Sequence, residues 1–466
     1  LQIKWLPAEI SYATQGKEVG MEAIGKRTPK KVTSYLSVFL RLLSKPQRKH
    51  FLGYLVGLIG LIKFHSTREI SRRYLKTTPD NLQRFLNARA GNVSRIASAS
   101  QDWLATSCTF EETLLIIDDT TVERQGPAIK GIGIHHSGNG LIKGQCAVTC
   151  IVRIGGQWFG WDIRGYCPKT ACPKGTFQSK IDLAKTILTS FREQVSAPFI
   201  TLMDSWYTCA PILNLISASG GIYVAAIKRN RYVEIHGVKK VVSHLAKGPR
   251  RYKTIRASKK QRFKVAKLIV FLPKVGMVAL FITKGAGAKA RFLITNDLAM
   301  TEARVVALYK QRFRIETFHK EIKQHLAFGE VFMRSWQGVQ THWTLAMIAY
   351  NLITLSARRR LKGFRQKISH FRDSDSFQKM IDYQKPLTEP IKFAELKVLI
   401  YSLIPGQTEW MGTRFPVVSK VFCFKAQPFL TVPHAGWRDL SIMRALTPRE
   451  SILNVPISGT NQIKTG

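Results

Sequence analysis

YKQRFRIETFHKEIK, Tyr309 to Lys323, places one carboxylate inside a run of cations at helical spacing. Tyr309, Arg312, Glu316 and Lys323 stand at offsets of 0, 3, 7 and 14. At about 100° per residue these offsets span an arc of about 60° on one helix face. Four functional groups then point the same way, with Lys320 beside them. Leu308, Ile315, Ile322 and Leu326 form a neighbouring apolar stripe that can be buried. Taken alone, the polar stripe also reads as a solvated face laced by Arg312–Glu316 and Glu316–Lys320 pairs worth about 0.3 kcal/mol each. The rest of the chain decides between a surface helix and one wall of a site.

Composition narrows the choice. Lysine and arginine number 72 against 29 acidic residues, a formal charge of +43 and a sequence pI near 10.3. So large an excess of one sign repels itself unless a polyanion neutralises it, and nucleic acid is the usual partner. An anionic membrane surface is the next candidate. The longest apolar run, Phe51 to Phe64, is shorter than the roughly 20 residues a bilayer requires and reads as a buried core helix. Seven cysteines, Cys108, Cys146, Cys150, Cys167, Cys172, Cys209 and Cys423, make no paired CxxC knuckles. Neither a zinc site nor a disulfide framework is expected of them; they read as small core residues of a protein in a reducing cytoplasm. Met21 is the first methionine, so residues 1–20 are expected to be upstream translated sequence or an artefact of expression.

Residues 1–110 read as a helical N-terminal, DNA-binding domain. Ser66 with Glu69 makes a capping-box start, and Pro79 opens a helix bearing Gln83, Arg84 and Asn87. That is the outline of a helix-turn-helix, and equally of two core helices in a bundle. At Leu114 the period changes. LLIIDD is a continuously apolar run ending in two carboxylates, as expected of a buried strand that opens on a site. Gly144–Ile154 and Gln157–Gly165 follow as strands across a Gly155-Gly156 turn. Lys174–Val195 then reads as a helix, Phe199–Met203 as a strand closing in Asp204, 211–217 as a helix and 222–227 as a strand. Three strands, helix, strand, helix, strand is the order of a ribonuclease H-like fold. Glu316, on a late helix, is placed to bring a third carboxylate beside the first two.

The expected architecture is therefore α/β: a ribonuclease H-like core at 111–227 and 301–357, interrupted by a β subdomain at 228–300. A C-terminal region, 358–466, opens on the basic block Arg358, Arg359, Arg360, Lys362, Arg365 and Lys367. The insertion interleaves cations with apolar runs, which suits tracking of a phosphate backbone; lysines guarding sheet edges are the other reading. Carboxylates converging from two strands and a helix suit two-metal phosphoryl transfer, in which hard Mg²⁺ or Mn²⁺ ions take oxygen ligands. Asp119, Asp204 and Glu316 are the expected catalytic and metal-binding residues, with Asp118 as the alternative to Asp119. Arg312, Lys320 and Lys323 are expected to hold the DNA strand, and Tyr309 to bind a phosphate or a base. No GxxxxGK[ST] loop is present, which disfavours a nucleotide hydrolase. His135 and His136 read as an exposed loop pair, and Asp162 and Glu123 as structural carboxylates.

The chain resembles the bacterial insertion-sequence transposases with an Asp-Asp-Glu triad, specifically the insertion sequence four group with its tyrosine, arginine, glutamate, lysine signature. Tyr309, Arg312, Glu316 and Lys323 match that signature at every position. IIDDTT meets the group's first motif with Asp119 directly before the threonines, and ITLMDSWY meets the second at Asp204. The resemblance implies cut-and-paste transposition by a homodimer on double-stranded DNA, acting on transposon ends and target. It also implies a cytoplasmic protein, nucleoid-associated when bound. The chain departs from the group in having no tryptophan at 228–300. A nuclease of the same fold and a catalytically decayed DNA-binding protein are the alternatives.

Overall fold

A computed structural model of the chain describes residues 12–14, 17–19 and 30–370, apart from short breaks at 61–64, 76, 88–89, 108–112, 127, 138–139, 248–250, 257–261, 286–288 and 331–332. Two short strands, Tyr12–Thr14 and Lys17–Val19, pair antiparallel as a separate sheet, and five α-helices follow among the described residues: α1 (Lys30–Leu42), α2 (Lys45–Gly60), α3 (Thr67–Ile70), α4 (Pro79–Leu86) and α5 (Ala90–Ser107). The apolar run beginning at Phe51 is the buried half of α2, with Phe51, Tyr54, Leu55, Leu58 and Ile59 in the core. Ser66 caps α3 by accepting from the Glu69 N–H, and Thr78 caps α4 by accepting from the Asn81 N–H just ahead of Pro79. A π turn, Ser71–Leu75, separates these two helices. Gln83, Arg84 and Asn87 are exposed on and just beyond α4, and the Gln83 amide donates to the Thr67 hydroxyl at 3.4 Å.

The strands that follow are β1 (Thr113–Glu123), β2 (Gly133–Ser137), β3 (Gly140–Ile154) and β4 (Gln157–Tyr166). Helix α6 (Lys180–Gln194) leads to β5 (Phe199–Met203), and α7 (Ala210–Ala218) to β6 (Ile222–Ala226). Residues 228–300 supply β7 (Tyr232–Ile235), β8 (Val238–Val241), β9 (Lys253–Arg256), β10 (Arg262–Leu272), β11 (Gly276–Gly285) and β12 (Arg291–Thr295). All twelve belong to one sheet, in the spatial order β8-β7-β10-β11-β12-β6-β5-β1-β3-β2, with β9 also on β10 and β4 also on β3. The strands of 228–300 thus extend the sheet through β12, which runs antiparallel to β6 with Leu293 opposite Ala226.

β1 is the axis of this arrangement. Its residues Thr113 to Ile117 are all buried, because β3 flanks it antiparallel and β5 flanks it parallel. Parallel neighbours need a crossover, and α6 supplies it between β4 and β5. Burial relaxes at Asp118, where the strand reaches the rim of the sheet. Three further helices close the described fold: α8 (Glu302–Gln311), α9 (Arg314–His325) and α10 (Trp336–His370). α9 packs on β1 and α10 on β4. The boundary read at 358 falls inside α10, and the side chains of the basic block that opens there lie outside the described residues, as do 371–466.

β2 corrects one reading. His135 is buried in this strand, with its Nε2 3.2 Å from the Gly144 carbonyl, while His136 on the opposite face is exposed. Strand alternation separates two histidines that a loop would expose together. Asp162, nearly fully buried, pairs with Arg164 at 2.8 Å.

One buried amide fastens α10 to the sheet. Among the described residues β4 pairs only with β3, so the peptide groups on its other side need partners. Asn351 supplies them at Gly160, accepting from its N–H at 2.8 Å and donating to its C=O at 2.9 Å and to the Tyr35 hydroxyl at 3.1 Å. Position 160 has to be glycine here, since a Cβ would lie 2.4 Å from Met347 Cγ. Replacing Asn351 by leucine strands both Gly160 peptide groups, each costing about 1–3 kcal/mol. The expected loss is about 2–6 kcal/mol in urea unfolding, and an unchanged midpoint would show that the amide does not anchor the helix.

Candidate active site

Strand parity decides which carboxylates meet. Ile117 pairs with Met203 across the parallel β1–β5 ladder, so the next positions, Asp118 and Asp204, share a face at the strand ends. Their side chains are close enough to feel one another. Burial, followed by the charges of Asp204 and Asp119, pushes the Asp118 carboxyl up to about 7, against the opposing pull of Arg312. The Arg312 guanidinium donates to Asp118 at 3.2 Å and also to the Glu316 carboxylate. One cation is therefore shared by a strand acid and a helix acid. Asp204 is held by its own loop, accepting from the backbone N–H groups of Trp206 at 2.9 Å and Tyr207 at 3.3 Å.

Asp119 points to the opposite face of β1. There it accepts from the Lys180 ammonium at 2.6 Å, the Tyr207 hydroxyl at 3.1 Å and the Cys146 thiol at 3.4 Å. Lys180 is the first residue of α6, oriented by a reciprocal Ser179–Asp182 capping box. Of the carboxylates expected to converge, Asp204 and Glu316 lie with Asp118 and Arg312, while Asp119 stands apart in this ion-paired setting.

The segment Tyr309–Lys323 is two helices rather than the single one its spacing predicts. α8 ends at Gln311 and α9 begins at Arg314. Across the junction the Arg312 N–H donates to the Tyr309 carbonyl and the Ile315 N–H to the Arg312 carbonyl, both three-residue bonds that tighten the turn. The tightening leaves Phe313 exposed and aims Arg312 at Asp118. Glu316 thereby falls in the first turn of α9, where the helix dipole favours a negative charge.

The remaining signature residues divide by exposure. Lys320 is exposed, whereas Lys323 donates to the Thr121 carbonyl at 2.8 Å and is lowered from the ordinary lysine range by burial. Tyr309 is half-buried, and burial raises its hydroxyl above the usual tyrosine range, with the Arg312 charge opposing and that of Asp204 adding to it. His319 is buried and pushed down to about 3, hence neutral; its Nε2 lies 2.7 Å from the Thr149 hydroxyl. Thr149 stands opposite Asp118 and donates to its carbonyl at 3.1 Å, so His319 seats α9 against the strand that carries the acids.

Lys180, Tyr207, His319 and Thr149 were not singled out in the sequence. The Ser-x-x-Asp box ahead of α6 and the tyrosine three places after Asp204 were the available signals. Asp118, Asp204 and Glu316 are the hard oxygen donors that Mg²⁺ and Mn²⁺ prefer, and the crowding of negative charge at Asp118 is what a cation relieves. Arg312 neutralises part of that charge, and among the described residues no group of three or more His, Cys, Asp or Glu side chains is placed to hold a metal ion.

Comparison with known proteins adds a context for these positions. Residues 178–352 match the family model of the transposase DDE domain. The DDE-domain match takes in Asp204, Arg312, Glu316 and Lys323; it begins after β1, leaving Asp118 and Asp119 outside. The provisionally named transposase y4zB of Sinorhizobium fredii is 38% identical over 66 residues, a stretch covering 14% of this chain and 18% of that protein. The piggyBac transposase, in a synaptic complex with hairpin DNA seen by cryo-electron microscopy, aligns over 78% of this chain and 77% of its own at 12% identity, with a TM-score of 0.42. No helix among the described residues is long and apolar enough to cross a membrane.

Replacing Arg312 by methionine leaves Asp118 and Glu316 without their shared cation. The pair is only partly buried, so the expected loss lies between that of exposed and buried ion pairs, about 1–3 kcal/mol in thermal unfolding. Adding Asp118→Asn to Arg312→Met is expected to recover part of it, because one stranded charge is gone. Strictly additive single-mutant effects would show that the two side chains are not coupled.

Proposed function

We propose that the chain is a DNA transposase of the insertion sequence four group, which cuts DNA at the ends of an insertion sequence and transfers the freed strands to target DNA. The observation that carries the reading is the guanidinium of Arg312 shared between Asp118 and Glu316 beside Asp204, inside a segment with all four signature residues. The DDE-domain match over 178–352 supports it, as does the charge of +43. The spatial order β4-β3-β1-β5-β6, with three antiparallel strands followed by two parallel ones, supports a ribonuclease H-like core. Helices α1 to α5 and the strands of 228–300 are assigned to end recognition and to backbone contacts.

In this reading Asp118, Asp204 and Glu316 hold the divalent cations, Mg²⁺ or Mn²⁺. Two such ions supply activation of the attacking oxygen and stabilisation of the leaving one. Arg312 offsets part of the acids' mutual repulsion, and its planar fork is suited to meeting phosphate. Lys320, exposed one turn beyond Glu316, contacts the DNA strand. Lys323 fixes α9 to the end of β1 and adds positive charge there. Tyr309, packed near Arg312 and Asp204, lines the approach to the acids. Two copies on DNA would bring both ends of an element together.

The test is cleavage of linear DNA carrying the element's flanking ends, with Mg²⁺ or Mn²⁺ against EDTA. Glu316→Gln and Asp118→Asn are each expected to lower metal-dependent nicking by more than about 100-fold, since each removes a ligand. DNA binding should persist, because neither change weakens the positive field. Loss of nicking in Asp119→Asn alone, with Asp118→Asn active, would transfer the first carboxylate's role to Asp119. Tight binding without cleavage by the wild type would contradict the catalytic reading and favour a DNA-binding protein.

A further inference from the structure

The crossover from β4 to α6 carries two cysteines that the carboxylate site does not use, in the stretch Cys167-Pro168-Lys169-Thr170-Ala171-Cys172-Pro173. Unlike Cys146 and Cys150, which are buried in β3, Cys167 and Cys172 are half-buried and line the same cavity, of about 300 Å³, with Arg164, Trp336 and Gln340 on its other walls. The turn between them is closed by its backbone. The N–H groups of Ala171 and Cys172 both donate to the Pro168 carbonyl, at 2.8 and 3.1 Å. This brings the two ends of the Cys167–Cys172 segment together, and the prolines that follow each cysteine restrict the backbone on both sides. The thiols adjoin: burial raises Cys167 above the usual thiol range, and the neighbouring Cys172 thiol adds to that rise.

We propose that Cys167 and Cys172 form a reversible disulfide within this loop, a redox modification site separate from the carboxylates. The oxidant is a small-molecule disulfide. A thiolate of the pair, having given its proton to water, attacks one sulfur of that disulfide and breaks its S–S bond, releasing one small thiol and leaving a mixed disulfide. The second cysteine, likewise deprotonated, attacks the protein sulfur of the mixed disulfide. The Cys167–Cys172 bond forms and the other half leaves as a second thiol. Two protein thiols are oxidised and one small disulfide is reduced to two thiols. Tyr166, next to Cys167, lies under the Lys180 ammonium at 5.6 Å, and Lys180 reaches Asp119 from the far end of this loop. The bond closes residues 167–172 of the loop that leads to α6.

Trypsin offers a direct readout, because cleavage after Arg164, Lys169 and Lys174 puts the two cysteines on separate peptides, 165–169 and 170–174. Full-length protein is incubated with oxidised glutathione, blocked with iodoacetamide and digested. The two peptides are expected as one disulfide-linked species, with a loss of two free thiols per chain that dithiothreitol reverses. Cys167→Ser and Cys172→Ser are each expected to stop at a glutathione adduct on the remaining cysteine. The wild-type result needs no variant to fold, and it does not depend on DNA cleavage. Separate adducts on both peptides, a link from either to Cys209, or a link between two chains would overturn the proposal.

Discussion

Arg312 joins two acids that lie 194 and 4 residues away along the chain, and the site depends on that one guanidinium. Unit charges of like sign about 4 Å apart in surroundings of effective dielectric near 20 repel by about 4 kcal/mol. Carboxylates crowded at the end of a buried strand need either a cation beside them or a proton on one of them. Asp118 shows both effects: burial first, then its acidic neighbours, push its carboxyl up to about 7 against the pull of Arg312. The acids are also distributed so that each has its own anchor: Asp204 on the backbone of its loop, Glu316 at a helix start, Asp118 on Arg312.

The second acid of the β1 pair shows how a strand end can serve two faces. Asp119 accepts from Lys180, Tyr207 and Cys146, a set drawn from α6, from the loop after β5 and from β3. These contacts tie the crossover helix and the loop of Asp204 to the same strand. Tyr207 therefore touches both faces of the site, its backbone donating to Asp204 and its hydroxyl to Asp119. A charge on one face is not independent of the order on the other.

Much of this framework was legible in the sequence. The apolar run ending in Asp118 and Asp119, the strand ending in Asp204 and the glycine turn at 155–156 rest on local rules, and both glycines take the positive φ such a turn requires. What was not legible depended on partners. Whether Asp118 or Asp119 faces Asp204 is a question of parity, settled only by the pairing of Ile117 with Met203. The helical wheel over Tyr309–Lys323 assumed an unbroken period, and the tightened turn at Arg312 breaks it. His319 and Thr149, 170 residues apart, carry no signal in either neighbourhood. The strands of 228–300 were recognisable as strands, but their continuation of the main sheet through β12 and β6 was not. Cys167 and Cys172, grouped at first with the core cysteines, are set apart only by their shared cavity.

In the proposed reading Arg312, bonded to Asp118 and Glu316 beside Asp204, stands where a divalent cation would bind. Anomalous scattering from crystals grown with Mn²⁺ and DNA ends would locate that cation directly. Manganese peaks bounded by these three carboxylates, with the Arg312 guanidinium moved off Asp118, are the expected result. Manganese on the Asp119 side, or an unmoved Arg312 with no peak beside Asp204, would contradict it.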